Sequence, residues 1–292
     1  MLWNPHQQLW NHSLVSIITR ALPFKILRWP VILAVVFLDT VFLWVRALAR
    51  RVKKVGIGSL FTKTRAPKGT SILYFDLGTH KRAEELSLIV NTILPRFCDQ
   101  FEAFGFEASV EFFKQSRQRL GEKDNVKLVN AALCKTLPSD GKIKLYKDSG
   151  DGVGSSVYRD TFGEYEEVQA LRFSDWVRSN NIDLETSVCL LRMNIEGSEV
   201  DVIEDLVESG LAEYIDGYFG MWDDMSKIDE DRDDEFRTLL RKNRIHPFTF
   251  NQRDLKSAFR LSPIKYDIGT AIQAGVNRTA RLQMKTIDTG IS

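Results

Sequence analysis

The chain's first β-rich run closes on Asp76-Leu77-Gly78, and its second closes on Glu107. Glycine permits a tight turn that brings backbone close to a ligand, and a helix starting just beyond presents its N-terminus to the same space. A carboxylate at the end of the second strand can accept hydrogen bonds from both hydroxyls of a ribose. Together they form the general arrangement for a nucleoside cofactor, although a plain turn and a helix-capping acid would look the same in isolation. A second polar group lies in LLRMNIEGSEVDVIEDL, residues 190–206, where Asn194, Glu196 and Glu199 bunch where a strand enters a helix. Acids there either meet a ligand or complement the helix N-terminus. A third candidate is the pair Asp223 and Asp224, which follows YIDGYFGMW at the same end of the sheet and offers a base to an acceptor hydroxyl. Its context, DDMSKIDEDRDDE, also reads as a solvated loop and helix start.

Several chemistries lack their residues. The chain has no G-x-G-x-x-G, no P-loop and no G-x-S-x-G elbow. His6, His12, His80 and His246 have no metal-ligand spacing. Cys98, Cys134 and Cys189 lie far apart in apolar stretches and read as reduced core thiols. No metal is expected.

Alternation of strand-like and helix-like segments positions the candidates. Strands are expected at 71–77, 101–108, 126–134, 142–146, 168–173, 187–195 and 214–220. Helices are expected at 83–98, 110–120, 174–180 (capped by Ser174) and 198–209 (stopped by Gly210). This pattern predicts βαβ units, hence an α/β, Rossmann-like, doubly wound and mostly parallel sheet covered on both faces. Ligands of such sheets sit beyond the C-terminal strand ends, where the strand order reverses.

Four segments in order resemble the FkbM-type methyltransferase family, whose motifs are F-D-x-G-A-N-x-G, A-F-E-P, N-x-A-L and K-x-D-x-E-G-x-E. Here they read Phe75-Asp76-Leu77-Gly78-Thr79-His80-Lys81-Arg82, Gly105-Phe106-Glu107-Ala108, Asn130-Ala131-Ala132-Leu133 and Arg192-Met193-Asn194-Ile195-Glu196-Gly197-Ser198-Glu199. Gly154-Ser155-Ser156 is similar to a Ser-Ser segment of the family. The resemblance spans about residues 70–250. It implies S-adenosyl-L-methionine as cofactor, contacted by Asp76, Gly78, Thr79, His80, Glu107, Asn130 and Asn194. It also implies methyl transfer to a hydroxyl of a small-molecule, sugar or lipid acceptor; the candidates for a base near the expected cleft are Asp223, Asp224, Glu196 and His80. The chain departs from the family at His80, at Arg82 (for the second turn glycine) and at Asn194 (for aspartate). If these departures abolish catalysis, the resemblance leaves a membrane-bound binding or interaction module. The residues alone also fit another nucleotide-using Rossmann-like enzyme.

Net charge is +1 over 292 residues, but it is unevenly spread. Residues 1–54 carry Arg20, Lys25, Arg28, Arg46, Arg50, Arg51, Lys53 and Lys54 against Asp39 alone, a net +7, so the remainder carries −6. An acidic body argues against a nucleic-acid partner, which is held largely through phosphates. Within the basic head, PVILAVVFLDTVFLWV (30–45) is the one long apolar run, with Trp29 just before it and Trp44 near its end at interfacial positions. It predicts a membrane attachment, spanning or interfacial, with the catalytic domain cytoplasmic; a soluble helical arm is the alternative. As a helix, sixteen residues reach about 24 Å, short of the roughly 30 Å hydrocarbon core. The expected division is an attachment segment 1–58, a linker 59–70, a methyltransferase-like domain 71–275 and a tail 276–292. Oligomeric state is not legible.

Overall fold

A computed structural model describes residues 25–61, 65–148, 154–160, 163–222, 224–250 and 258–289. Six parallel strands make the central sheet: β1 (Ile72–Leu77), β2 (Glu102–Glu107), β3 (Val126–Asn130), β7 (Val188–Met193), β8 (Ile215–Gly220) and β9 (Pro247–Thr249), in the order β3-β2-β1-β7-β8-β9. The order runs outward in both directions from the β1–β7 pair, which makes that pair the switch point of a doubly wound sheet. A second sheet joins β4 (Ala132–Leu133), β6 (Tyr165–Leu171) and β5 (Lys142–Tyr146) in the order β4-β6-β5.

Alternate residues of β1 feed opposite cores. Leu73, Phe75 and Leu77 face one side, with Phe104 and Phe106 of β2 and Cys189, Leu191 and Met193 of β7. There α4 (Phe173–Ser179) supplies Phe173, whose ring meets that of Phe75 edge-on at 5.3 Å. Trp176 meets the Phe106 ring at 4.9 Å. The helix α5 (Glu199–Glu208) and α6 (Glu230–Lys242) complete that side with Ile203, Leu206, Phe236 and Leu240. Ile72 and Tyr74 face the other side, under α2, which runs as Glu84–Leu88, a π-helical segment Ile89–Ile93 and Leu94–Phe97. The long helix α7 (Ala258–Thr289) covers the same side with Ile264, Ile268, Ala271 and Ile272. Outside the first core, α3 (Val110–Leu120) links β2 to β3.

The strand and helix limits follow the apolar periodicity closely, with three corrections. The run 126–134, expected as one strand, divides into β3 and β4 in different sheets. Ala131 N–H donates to the Glu107 carbonyl, and Asn130 Nδ2 to the carbonyls of Glu107 and Ala108, which turns the chain there. Ser174 does not cap α4. It lies in the first turn, and Asp205 of α5 accepts from its N–H at 2.7 Å and its hydroxyl at 2.6 Å. Residue 276, the expected start of a tail, falls inside a helix. The helix α7 passes through that boundary, and Arg278 donates to both oxygens of Asp216 and to the carbonyls of Glu185, Ser187 and Tyr214.

The N-terminal segment is also less detached than expected. Helix α1 (Lys25–Val55) packs along α7: Trp44 sits edge-on to Tyr266, Arg50 pairs with Asp267, and Lys54 donates to the Asp216 carbonyl. Buried Arg51 donates twice to Ser59 O in a short 3-10 turn, Ile57–Phe61. Three of the eight basic residues of this head, Arg50, Arg51 and Lys54, are therefore spent on the protein itself, and Trp44 meets a protein ring. Ala66, in the expected linker, is buried and donates to Phe97 O. Among the described residues no helix is long and apolar enough to cross a membrane. Cys98, Cys134 and Cys189 are buried free thiols.

Candidate functional site

Beyond the C-terminal ends of β1, β2, β7 and β8 lies a cavity of about 490 Å³. Its wall includes Gly78, His80, Glu107, Asn194, Glu196 and Asp224. Two glycines let the strand ends converge. A Cβ on Gly78 (φ +88°) would stand 2.1 Å from the Asn194 carbonyl oxygen. One on Gly220 (φ +141°), at the end of β8, would stand 1.8 Å from the Met193 oxygen. The backbone is also left-handed at His80 (φ +60°), Ala83 (φ +45°) and Glu196 (φ +52°), where a side chain makes that conformation costly. Asn181 and Arg244 are left-handed too, and of these five described residues His80 and Glu196 line the cavity.

Glu107 is the focus of the wall. Its Oε2 accepts from the His80 N–H at 2.7 Å and its Oε1 from the Ser109 N–H at 3.0 Å. The carboxylate is thereby held in one orientation, and each oxygen keeps further lone-pair capacity toward the cavity. Burial pushes its pKa up to about 7, against the two N–H donors that favour the charged form. The His80 ring packs edge-on to Phe112, which also lines the wall.

Behind the wall residues Ile195 and Glu196, Glu199 accepts from the N–H groups of Ile195 (2.6 Å) and Gly197 (2.8 Å), which holds the turn that enters α5. Burial, with Asp224 nearby, raises Glu199 to about 7. Glu196 is raised further, to about 8, by burial and by the charges of Asp224 and Glu199, with Arg159 at 3.7 Å acting against them. Asp224 Oδ1 accepts from Lys227 at 2.7 Å, while its buried Oδ2 has no hydrogen-bond partner among the described residues. Ser156 Oγ donates to the Glu196 carbonyl, and Gly154 and Ser155 line the cavity, so the Ser-Ser segment does come to the site.

Other expected contacts stand behind the wall. Asp76 is fully buried and Thr79 nearly so, and neither lines the cavity. Thr79 Oγ1 donates to the Asp76 carbonyl, and Asn130 braces the end of β2 from outside the cavity. Arg82, where the resembled family has glycine, pairs with Glu84 at 3.6 Å and does not line the cavity, so it does not fill the space a cofactor would need. Asp223 lies outside the described residues.

The sequence reading passed over Arg192 and Glu85. Arg192, across the ladder from Asp76, donates to Asp76 Oδ1 at 2.7 Å, to Gly78 O at 3.3 Å and to Glu85 Oε1 at 3.1 Å. Burial raises Asp76 to about 6 even beside this guanidinium. A signal was available, since arginine inside a buried apolar strand must find carboxylates. Their positions in the fold were not.

Both cations that line the cavity, Arg192 and Lys227, are engaged by carboxylates. The remaining charged wall is acidic. Such a space accommodates hydroxyls and positive charge better than phosphate, whose charge the same carboxylates oppose. Comparison with protein-family models, with curated proteins and with solved structures finds no match to this chain.

Proposed function

We propose that the chain is an S-adenosyl-L-methionine-dependent methyltransferase acting on a hydroxyl of a small-molecule, sugar or lipid acceptor. The observation that carries this reading is Glu107. It is an oriented carboxylate at the end of β2, facing the cavity with acceptor capacity to spare for a ribose diol. The acidic wall supports a sulfonium cofactor over a dinucleotide or a nucleotide-sugar, since among the described residues it offers no uncommitted cation to a pyrophosphate. By the resemblance, Gly78, His80 and Asn194 would complete the cofactor's contacts, with Asp76, Thr79 and Asn130 holding the strand ends that present them. Bound there, the cofactor supplies a methyl group already activated by its positive charge.

What remains for the protein is alignment and a proton acceptor. Glu196 and Asp224 share the wall, and Glu196, raised to about 8, takes up a proton near neutral pH. In this reading Glu196 or Asp224 accepts the acceptor's hydroxyl proton, and the apolar wall around Phe106, Leu133 and Met221 limits water.

Calorimetric titration with S-adenosylhomocysteine tests the reading. The natural protein binds, and Glu107→Ala weakens binding by roughly 5- to 150-fold, equivalent to about 1–3 kcal/mol for ribose hydroxyls left unpaired. No binding of S-adenosylhomocysteine by the natural protein, or unchanged affinity in the variant, sinks it.

A further inference from the structure

We infer that α1 lies flat on an anionic lipid surface, docking the protein through one helical face while its opposite face holds the body. Ala47, Arg50, Arg51 and Lys54 turn toward the body, through burial, the Asp267 pair, Ser59 and Asp216. On the other side Leu38, Val41, Val45, Leu48 and Val52 recur at steps of three and four, and all are exposed, Leu38 at 64 % and Val45 at 57 %. Phe37 and Phe42, also more than half exposed, widen this stripe. At about 100° per residue it covers about 140° of the helix.

Two occupants fit a stripe of this spacing: a second copy in a coiled coil, and a lipid surface. A coiled-coil seam is narrower and is flanked by charges that pair across the dimer. Here the flanking positions are Phe37, Phe42, Trp44, Ala49 and buried Arg51, with no acid among them. The polar margin beside Phe42 instead carries Arg46, whose guanidinium stacks on the Phe42 ring at 5.5 Å, and exposed Lys53, against the single acid Asp39. A broad aromatic and aliphatic face edged by cations is the pattern of an in-plane interfacial helix. Ion pairing of the other face to α7 keeps the helix parallel to the body, which a spanning helix could not be. The docking is independent of the chemistry in the cavity.

Co-flotation of the full-length protein with phosphatidylcholine vesicles, with and without phosphatidylserine, tests it. The protein floats with the phosphatidylserine vesicles, less so as salt rises, and alkaline carbonate releases it. The double variant Leu38→Gln/Val45→Gln keeps the thermal midpoint, because both side chains are exposed, but binds about 100-fold more weakly. Failure to float, including through cover of the stripe by the chain's own N-terminal residues, overturns the inference. So does flotation unaffected by the double variant, or retention in carbonate. A dimer in vesicle-free solution that the same substitutions dissociate assigns the stripe to a second copy and overturns it as well.

Discussion

Glu107 titrates near neutrality because burial opposes its charge more than two N–H groups support it. A ribose diol donates to the charged form, so binding draws a proton off. Affinity for S-adenosylhomocysteine should therefore rise with pH by up to about tenfold per unit below 7 and level off above it. Titrations at several pH values check this, and in Glu107→Ala the rise attributable to this group should vanish. Asn194 gives a second expectation at this scale. It lines a cavity that already holds Glu107, Glu196 and Asp224, with Asp76 and Glu199 close behind. An aspartate there would add a like charge and push its neighbours' pKa values up further. Asn194→Asp should bind the cofactor but turn over no faster than the natural protein with any one identified acceptor. Faster turnover would mean that a carboxylate at this position is needed, and that the natural chain is an impaired enzyme.

The strand ends form the site only because β1 and β8 close tightly on the end of β7. Gly220 permits the β8 side of that approach: its φ of +141° and the Met193 oxygen together leave no room for a side chain. Gly220→Ala should destabilise the fold by at least about 2–3 kcal/mol, since strain and clash add. Denaturant unfolding measures it, and a loss under about 0.5 kcal/mol, the range of an ordinary surface change, would show that the two strands relax apart freely. The same closeness was only half legible in the sequence. Gly78 lies inside an acid–glycine turn with a chemical reading, whereas Gly220 ends an apolar run like any turn glycine. Nothing local distinguishes a glycine that borders a neighbouring strand's carbonyl from one that faces water.

At the scale of the molecule, the two terminal helices α1 and α7 brace the sheet through a few buried ions. Arg278 ties α7 to Asp216, and Asp216 Oδ2 also accepts the Cys189 N–H. Arg278→Met would leave Asp216 largely buried without its cation, at a cost of about 3–5 kcal/mol. A chain ending at residue 275 should be at least as unstable. Chemical denaturation of both checks this, and a truncated chain as stable as the whole would show that residues 276–292 do not brace the sheet.

The periodicities of apolar residues determined the α/β class, the parallel sheet and most element limits, because period 2 or 3.6 is written locally in each segment. They also placed Gly78, Glu107, Asn194 and Glu196 near one another, because the C-terminal ends of parallel strands gather on one edge. Only the tertiary structure decided which of the polar residues reach the cavity. Asp76 and Thr79 share the β1 turn with Gly78 yet stand behind the wall, since the partners of Asp76, Arg192 and Glu85, lie more than a hundred positions downstream and on a neighbouring helix. It also decided the fate of the basic N-terminal cluster. A run of arginines and lysines reads as one charged patch, but its members point around the helix. Arg50, Arg51 and Lys54 meet Asp267, Ser59 and Asp216, and Lys53 stays exposed. Charge is a property of the residue; its use depends on what the fold brings within about 4 Å of it.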